Sequence, residues 1–216
     1  MPRAASRLLT KSTVYPEPVE GLDTNGHWLV GIVDIRTSPP YPRAAMSEVA
    51  TLIPLDNVDP ALVEALLDRA FEPERHTRTA YQLRDGLEPL PALSFAALDA
   101  GEQLVGTIQC WPVALTDPQA RRHPLIMVGP VAVLPEAQGG GYGQALMAAA
   151  LGAISPEAPL PQMMIGDPEY YGRFWQFSAE HTGGWTLPGP WEPGRLLARA
   201  SNPAVLPREG TLGPWR

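Results

Sequence analysis

LIMVGPVAVLPEAQGGGYGQALMAAA, residues 125–150, decides the reading of this chain. Leu125 to Leu134 is an apolar run of the length and composition of a buried central strand, and Pro135 stops it. Gly139, Gly140, Gly141 and Gly143 then crowd into the stretch 138–143. From Gly143 to Ile154 the composition is helical, with Leu146, Ala150, Leu151 and Ile154 on one face. A helix N-terminus carries unpaired N–H groups and the positive end of a dipole. Glycines let that backbone take positive φ and come close to a ligand. Strand, glycine loop and helix together form an anion cradle suited to a pyrophosphate. The plainer alternative is a glycine-rich turn that holds nothing.

Two familiar cradles are excluded by the residues themselves. A Walker loop needs Gly-Lys followed by Ser or Thr, and no lysine follows these glycines. Gly139-Gly140-Gly141-Tyr142-Gly143 does not spell the Rossmann fingerprint G-x-G-x-x-G. Gln138-x-x-Gly141-x-Gly143 does resemble the Q/R-x-x-G-x-G/A signature of the GNAT superfamily of N-acyltransferases. Gly129-Pro130-Val131-Ala132-Val133-x-Pro135 looks like that superfamily's central strand.

The resemblance covers roughly residues 46–200, the size of one such domain. It implies acetyl-CoA as co-substrate and no metal. The backbone N–H groups of Gln138, Gly139, Gly140, Gly141, Tyr142 and Gly143 would hold the pyrophosphate. Val131, Ala132 and Val133 would hold the pantetheine arm and place the thioester, with a strand N–H near Val133 facing the developing oxyanion. Gly139 and Gly140 stand where a basic residue is frequent in the superfamily, so phosphate binding here rests on backbone.

Asp167-Pro168-Glu169-Tyr170-Tyr171-Gly172-Arg173-Phe174 resembles one bacterial subgroup, in which a tyrosine on the helix after the fifth strand precedes a Gly-Phe pair. Tyr171 aligns best with that tyrosine and Tyr170 second. A phenol of ordinary pKa near 10 is suited to protonating a departing thiolate; the alternative is a ring that packs the helix on the sheet. Phe174-Trp175-Gln176-Phe177 replaces the Phe-Gly-Phe of the subgroup, so an altered turn is expected. Glu102, Asp117, His123, Glu136 and Glu169 are base candidates by type only, and each also reads as a solvated or turn residue. Pro124 suggests a loop position for His123. Trp111 lies near where an acceptor would enter, and Trp185 and Trp191 could line the far side, although core packing explains each as well.

Composition sets the outer bounds. The chain has 216 residues and a formal net charge of -7. That balance, without a dense basic stretch, argues against nucleic-acid and anionic-membrane binding and mildly favours an amine-bearing acceptor, small molecule or protein. Cys110 is the only cysteine, so no internal disulfide exists, and its apolar surroundings suggest a buried small side chain. The histidines show no ligand spacing. Nothing has the apolar length of a membrane span or a signal peptide, and a cytoplasmic location is expected.

The remaining elements are read from pattern. Strands are expected over 48–54, 93–98, 104–115, 162–165 and 195–199, and helices beginning at Pro60 with Asp59 or Asn57 as cap, over 77–84 and after Asp167-Pro168. Gly106 hints at a bulge or a close backbone approach. This order predicts an α/β layered domain around a mixed sheet. The GNAT resemblance makes that sheet mostly antiparallel, with about six to seven strands and about four helices. The domain is expected over 46–202, followed by a tail over 203–216. Residues 1–45 read as linker apart from a short strand over 27–35. "YPEPVEGLDTNG" resembles translated intergenic repeats of some bacterial genomes, so Met46 is a candidate native start, with a genuine tail as the alternative. A homodimer is compatible with the resemblance, as is a domain that binds acyl-CoA as a sensor without turning it over.

Overall fold

The computed structural model describes residues 50–216 except Ala158. The expected strand over 27–35, the boundary at Met46 and the first residues of the strand over 48–54 lie outside the described residues. Strand β1 (Thr51–Pro54) leads into α1 (Pro60–Phe71). The start of α1 is set by its cap: Asp59 accepts the Ala61 N–H at 2.9 Å and Pro60 takes the first helical position. Helix α1 turns Val63, Leu66 and Leu67 into the core. Helix α2 is short (Thr79–Leu83), because a 3₁₀ stretch over Pro73–Thr77 occupies the approach to it.

Strands β2 (Phe95–Leu98), β3 (Leu104–Thr116) and β4 (Arg122–Val133) form an antiparallel meander. Helix α3 (Tyr142–Gly152), β5 (Gln162–Ile165) and α4 (Pro168–Trp175) follow. Short strands β6 (Gly184–Thr186), β7 (Leu196–Arg199) and β8 (Glu209–Pro214) complete the chain. One sheet of eight strands runs β1-β2-β3-β4-β5-β7, with β8 beside β3 and β6 beside β8. Among the described residues, only β4–β5 and β6–β8 are parallel. The mixed, mostly antiparallel sheet with four α-helices agrees with expectation, and the strand count exceeds it. The residues past 202, expected as a tail, supply β8, and β8 pairs with Val113–Thr116 of β3.

The long strand β3 is shared. Its first half pairs with β2 and its last four residues with β8, while its other edge carries β4. Gly106 confirms both sequence hints. The β2–β3 register shifts beside it, and a Cβ there would lie 3.0 Å from the Ala132 carbonyl oxygen and 3.1 Å from a Leu146 methyl. On one face, α3 and α4 enclose a core that includes Ile108, Cys110, Val128, Leu146, Met164 and Phe177. On the other, α1 covers Ala96, Ala132 and Leu134, and Leu83 of α2 packs with Trp111, Met127 and Met163. Cys110 is fully buried and burial pushes its thiol far up, so it stays protonated and unreactive.

Candidate functional site

The site begins where two parallel neighbours part. β4 pairs with β5 only at Ile126–Gln162 and Met127–Met163. Beyond Met127, β4 keeps its pairing with β3 and has no partner on its other edge among the described residues. The Leu134 N–H donates to the Val105 carbonyl, 2.9 Å away, so alternate residues of β4 address β3. By that alternation, Val131 and Val133 turn their N–H and C=O groups to the open edge, and Ala132 turns its own toward β3. Gly129 and Pro130 together face Gln109, an extra residue that bends the strand where it leaves β5. Gly129 takes φ +128°, a conformation that favours glycine.

The open edge leads to the glycine loop. After a 3₁₀ turn (Pro135–Ala137), Gly139 has φ +83° and Gly141 φ +81°. Gly141 is the residue before α3, and no side chain caps that helix. The first α3 amide with a partner is that of Ala145, which donates to the Gly141 carbonyl. Among the described residues, the N–H groups of Gly139, Gly141, Tyr142 and Gly143 have no acceptor, whereas Gln138 and Gly140 donate to Pro135 and Ala137. The space over Gly139 is open, and a Cβ at Gly140 would strike the Tyr142 ring at 2.8 Å. A row of free donors at a helix N-terminus, with room for close approach, fits a pyrophosphate. The six loop residues singled out in the sequence thus converge at one place, though two of their amides are already engaged.

Tyr171 sits on α4, next to the end of β5. Helix α4 is started by Asp167, which accepts from the Glu169 and Tyr170 amides, with Pro168 at the first position. The Tyr171 ring lies over Gly166, just past the end of β5, so closely that a Cβ there would be 2.6 Å from the ring. Phe177 and Tyr170 meet it edge-on. Burial, then Tyr170 and Asp167, push the Tyr171 phenol up to about 12, so it is protonated at neutral pH. Tyr170 lies exposed on the outer side of α4 against Phe174. The altered turn is real: Gln176 ends the helix at φ +62°, where glycine is usual.

The base candidates disperse. Glu102 is a turn residue at φ +58°, and Glu169 lies exposed in the first turn of α4. Glu136 pairs with Arg69 at 2.7 Å; its own backbone N–H and that arginine hold its carboxyl below the ordinary value. Asp117 and His123 meet at 2.9 Å across the tip of the β3–β4 hairpin. The His123 ring, then the Arg121 backbone and guanidinium, hold the Asp117 carboxyl well below the carboxylate range. That pair closes a turn far along the hairpin from the parting of β4 and β5.

His123 corrects the sequence reading: it lies on β4, not in a loop. Ile126, of the same parity as Pro124, sends its N–H away from β3 to Pro161, so the Pro124 nitrogen faces an edge where β5 has not yet begun. Trp185 is a core residue whose Nε1–H donates to the Pro207 carbonyl at 2.8 Å, and Trp191 packs on the same cluster.

Trp111 does line a cavity, of about 480 Å³, between the α1–α2 region and β3. Its other walls include Glu64, His76, Tyr81, Arg84 and Asp85. None of these five was singled out in the sequence, because they are scattered over α1, the 3₁₀ stretch and the end of α2. Arg75 is buried and pairs with Asp68 at 2.8 Å and with Glu64. Arg84 is also buried; burial pushes its guanidinium below the ordinary value, and Tyr81 opposes that.

A family model described as an acetyltransferase (GNAT) domain matches residues 56–174, more than half of the chain. The chain belongs to the GNAT acetyltransferase family. Two solved structures share its fold. The GNAT-family N-acetyltransferase YhbS of Escherichia coli, in complex with CoA, is 22% identical, with a TM-score of 0.59 over 83% of this chain and 93% of that one. A GNAT-family acetyltransferase of Brucella melitensis, in complex with acetyl-CoA, is 22% identical, with a TM-score of 0.53 over 76% of this chain and 94% of that one. None of the curated proteins matches significantly. Among the described residues, no helix is long and apolar enough to cross a membrane.

Proposed function

We propose that this protein is an N-acetyltransferase that moves an acetyl group from acetyl-CoA to a primary amine by direct attack within a ternary complex. The observation that carries this is the open edge of β4 running from Val131 and Val133 into the unpaired amides ahead of α3. In this reading, those amides receive the pyrophosphate. The open-edge N–H and C=O groups of Val131 and Val133 pair with the pantetheine amides, and the same edge orients the thioester carbonyl. Acetyl-CoA supplies that electrophilic carbonyl: the amine nitrogen bonds to its carbon, the carbon–sulfur bond breaks, and the sulfur leaves.

Tyr171 donates a proton to the departing sulfur. Its position over Gly166, at the end of β5, supports this. Tyr170 is the weaker choice, since it lies outside. The proton lost by the amine passes to water, because none of the carboxylates nominated from the sequence borders the opening. The acidic chain favours an amine acceptor by long-range attraction.

The test follows free thiol released from acetyl-CoA with a panel of amines. Acceptor-dependent release supports transfer. Tight acetyl-CoA binding with no release by any amine would replace this reading with that of a binding module.

A further inference from the structure

Arg84 is a buried cation without a carboxylate. It is 7% exposed, at the end of α2, and among the described residues no Asp or Glu oxygen lies within ion-pairing distance. Its guanidinium lies 3.8 Å from the centre of the Tyr81 ring and 4.8 Å from the Trp111 ring, and Nη1 donates to Gln109 Oε1 at 3.2 Å. An arginine offers five N–H donors in a planar fork, and burying one unpaired is costly. Arg75, its neighbour across Tyr81, shows the ordinary solution: two carboxylates. Arg84 instead lines the cavity of about 480 Å³.

The cavity lies beside the proposed transfer site. Trp111 pairs with Met127, the last β4 residue that still meets β5, and Gln109 faces the bulge at Gly129-Pro130 where the strands part. Glu64 and Asp85 stand at the same cavity with side chains 54% and 82% exposed; Glu64 is paired with Arg75, and Asp85 with Arg216 at 3.4 Å. The arrangement is a cationic, aromatic floor under a rim that carries acid groups.

We propose that this cavity is the acceptor site and that Arg84 selects amines that carry a carboxylate. The guanidinium fork takes the carboxylate by paired N–H donation, and Trp111 and Tyr81 hold the guanidinium by cation–π contact. This rests on the acyl-transfer reading above, and it names the substrate class of that same site.

The experiment uses the full chain and matched acceptors: amino acids and their α-carboxamides, with thiol release followed at saturating acetyl-CoA. Wild type is expected to favour the carboxylate over its carboxamide by at least about tenfold in kcat/KM, mostly through KM, the scale of one charge-assisted hydrogen bond. Arg84→Gln is expected to bring the ratio near one, with Arg84→Lys in between. The wild-type ratio stands without any variant, should Arg84→Gln not fold. A wild-type ratio near one, or turnover of the carboxamides with none of any carboxylate-bearing amine, overturns the proposal. So does an Arg84→Gln protein that keeps the wild-type ratio. Absence of acetyl-CoA binding, or binding with no turnover of any amine, would instead defeat the acyl-transfer reading itself.

Discussion

The two sides of the sheet build their candidate sites from different material. On the α3 side, the cradle is backbone: free amides at Gly139 and Gly141 to Gly143, held open by positive-φ glycines. On the α1–α2 side, the cavity is side chain: a guanidinium, two aromatic rings and rim carboxylates from separate elements. A backbone site tolerates little change of residue and binds groups common to many ligands. A side-chain site can be re-specified by one substitution. The contrast suits a protein that takes one acyl donor and a particular acceptor.

That contrast can be broken first at Tyr171, a side chain on the donor side. Tyr171→Phe is expected to lower kcat by roughly 10²-fold, the scale of a lost general acid, while acetyl-CoA affinity holds. An unchanged kcat at every pH would return Tyr171 to packing alone. Because its folded pKa is raised to about 12, the phenol stays a donor through pH 10. Its contribution to stability is whole below about pH 10, the ordinary phenol value, and is lost as pH rises through about 12. Spectrophotometric titration of tyrosinate reads this directly.

The next test strikes the backbone fit. Gly106→Val would drive a side chain against the Ala132 carbonyl and Leu146. It is expected to destabilise the fold by about 1–3 kcal/mol in denaturant titrations. If stability were unchanged, the close approach of β3, β4 and α3 would be no constraint.

A control away from both sites follows. Asp117 has a depressed folded-state pKa, so its contribution is fully present above about pH 4, the ordinary carboxylate value, and is lost as pH falls toward the folded value. Asp117→Asn is expected to lower the melting temperature at pH 7, with the gap to wild type narrowing below about pH 4 and acetyl-CoA affinity unchanged. A weakened affinity would link the hairpin tip to the cradle.

The smallest effect is expected at the end of α4. Gln176→Gly relieves a left-handed residue and should stabilise by up to about 1 kcal/mol without touching acetyl-CoA affinity.

The same division explains what could be read from the residues. The glycine loop, the Asp59-Pro60 and Asp167-Pro168 caps and the apolar run of β4 act through local chemistry, so their spacing displays them. Strands β6 and β8 escaped because GWT and EGTLGP are short and glycine-bearing, and they exist only through pairing with each other and with β3. The proline beside His123 suggests a loop, yet proline is harmless on a strand edge that has no partner among the described residues. The Arg84 cavity escaped because its walls come from α1, the 3₁₀ stretch, α2 and β3, and no sequence spacing joins them.

The most direct test of the central claim is calorimetric titration of acetyl-CoA into the full chain, beside Gly141→Trp. Position 141 has φ +81° and precedes the free amides of α3, so a large side chain there both strains and fills the cradle. Micromolar binding by wild type, lost in a folded variant, is the expected result. A folded wild type that does not bind, or a variant that binds as tightly, would contradict the assignment of this loop as the acyl-CoA cradle.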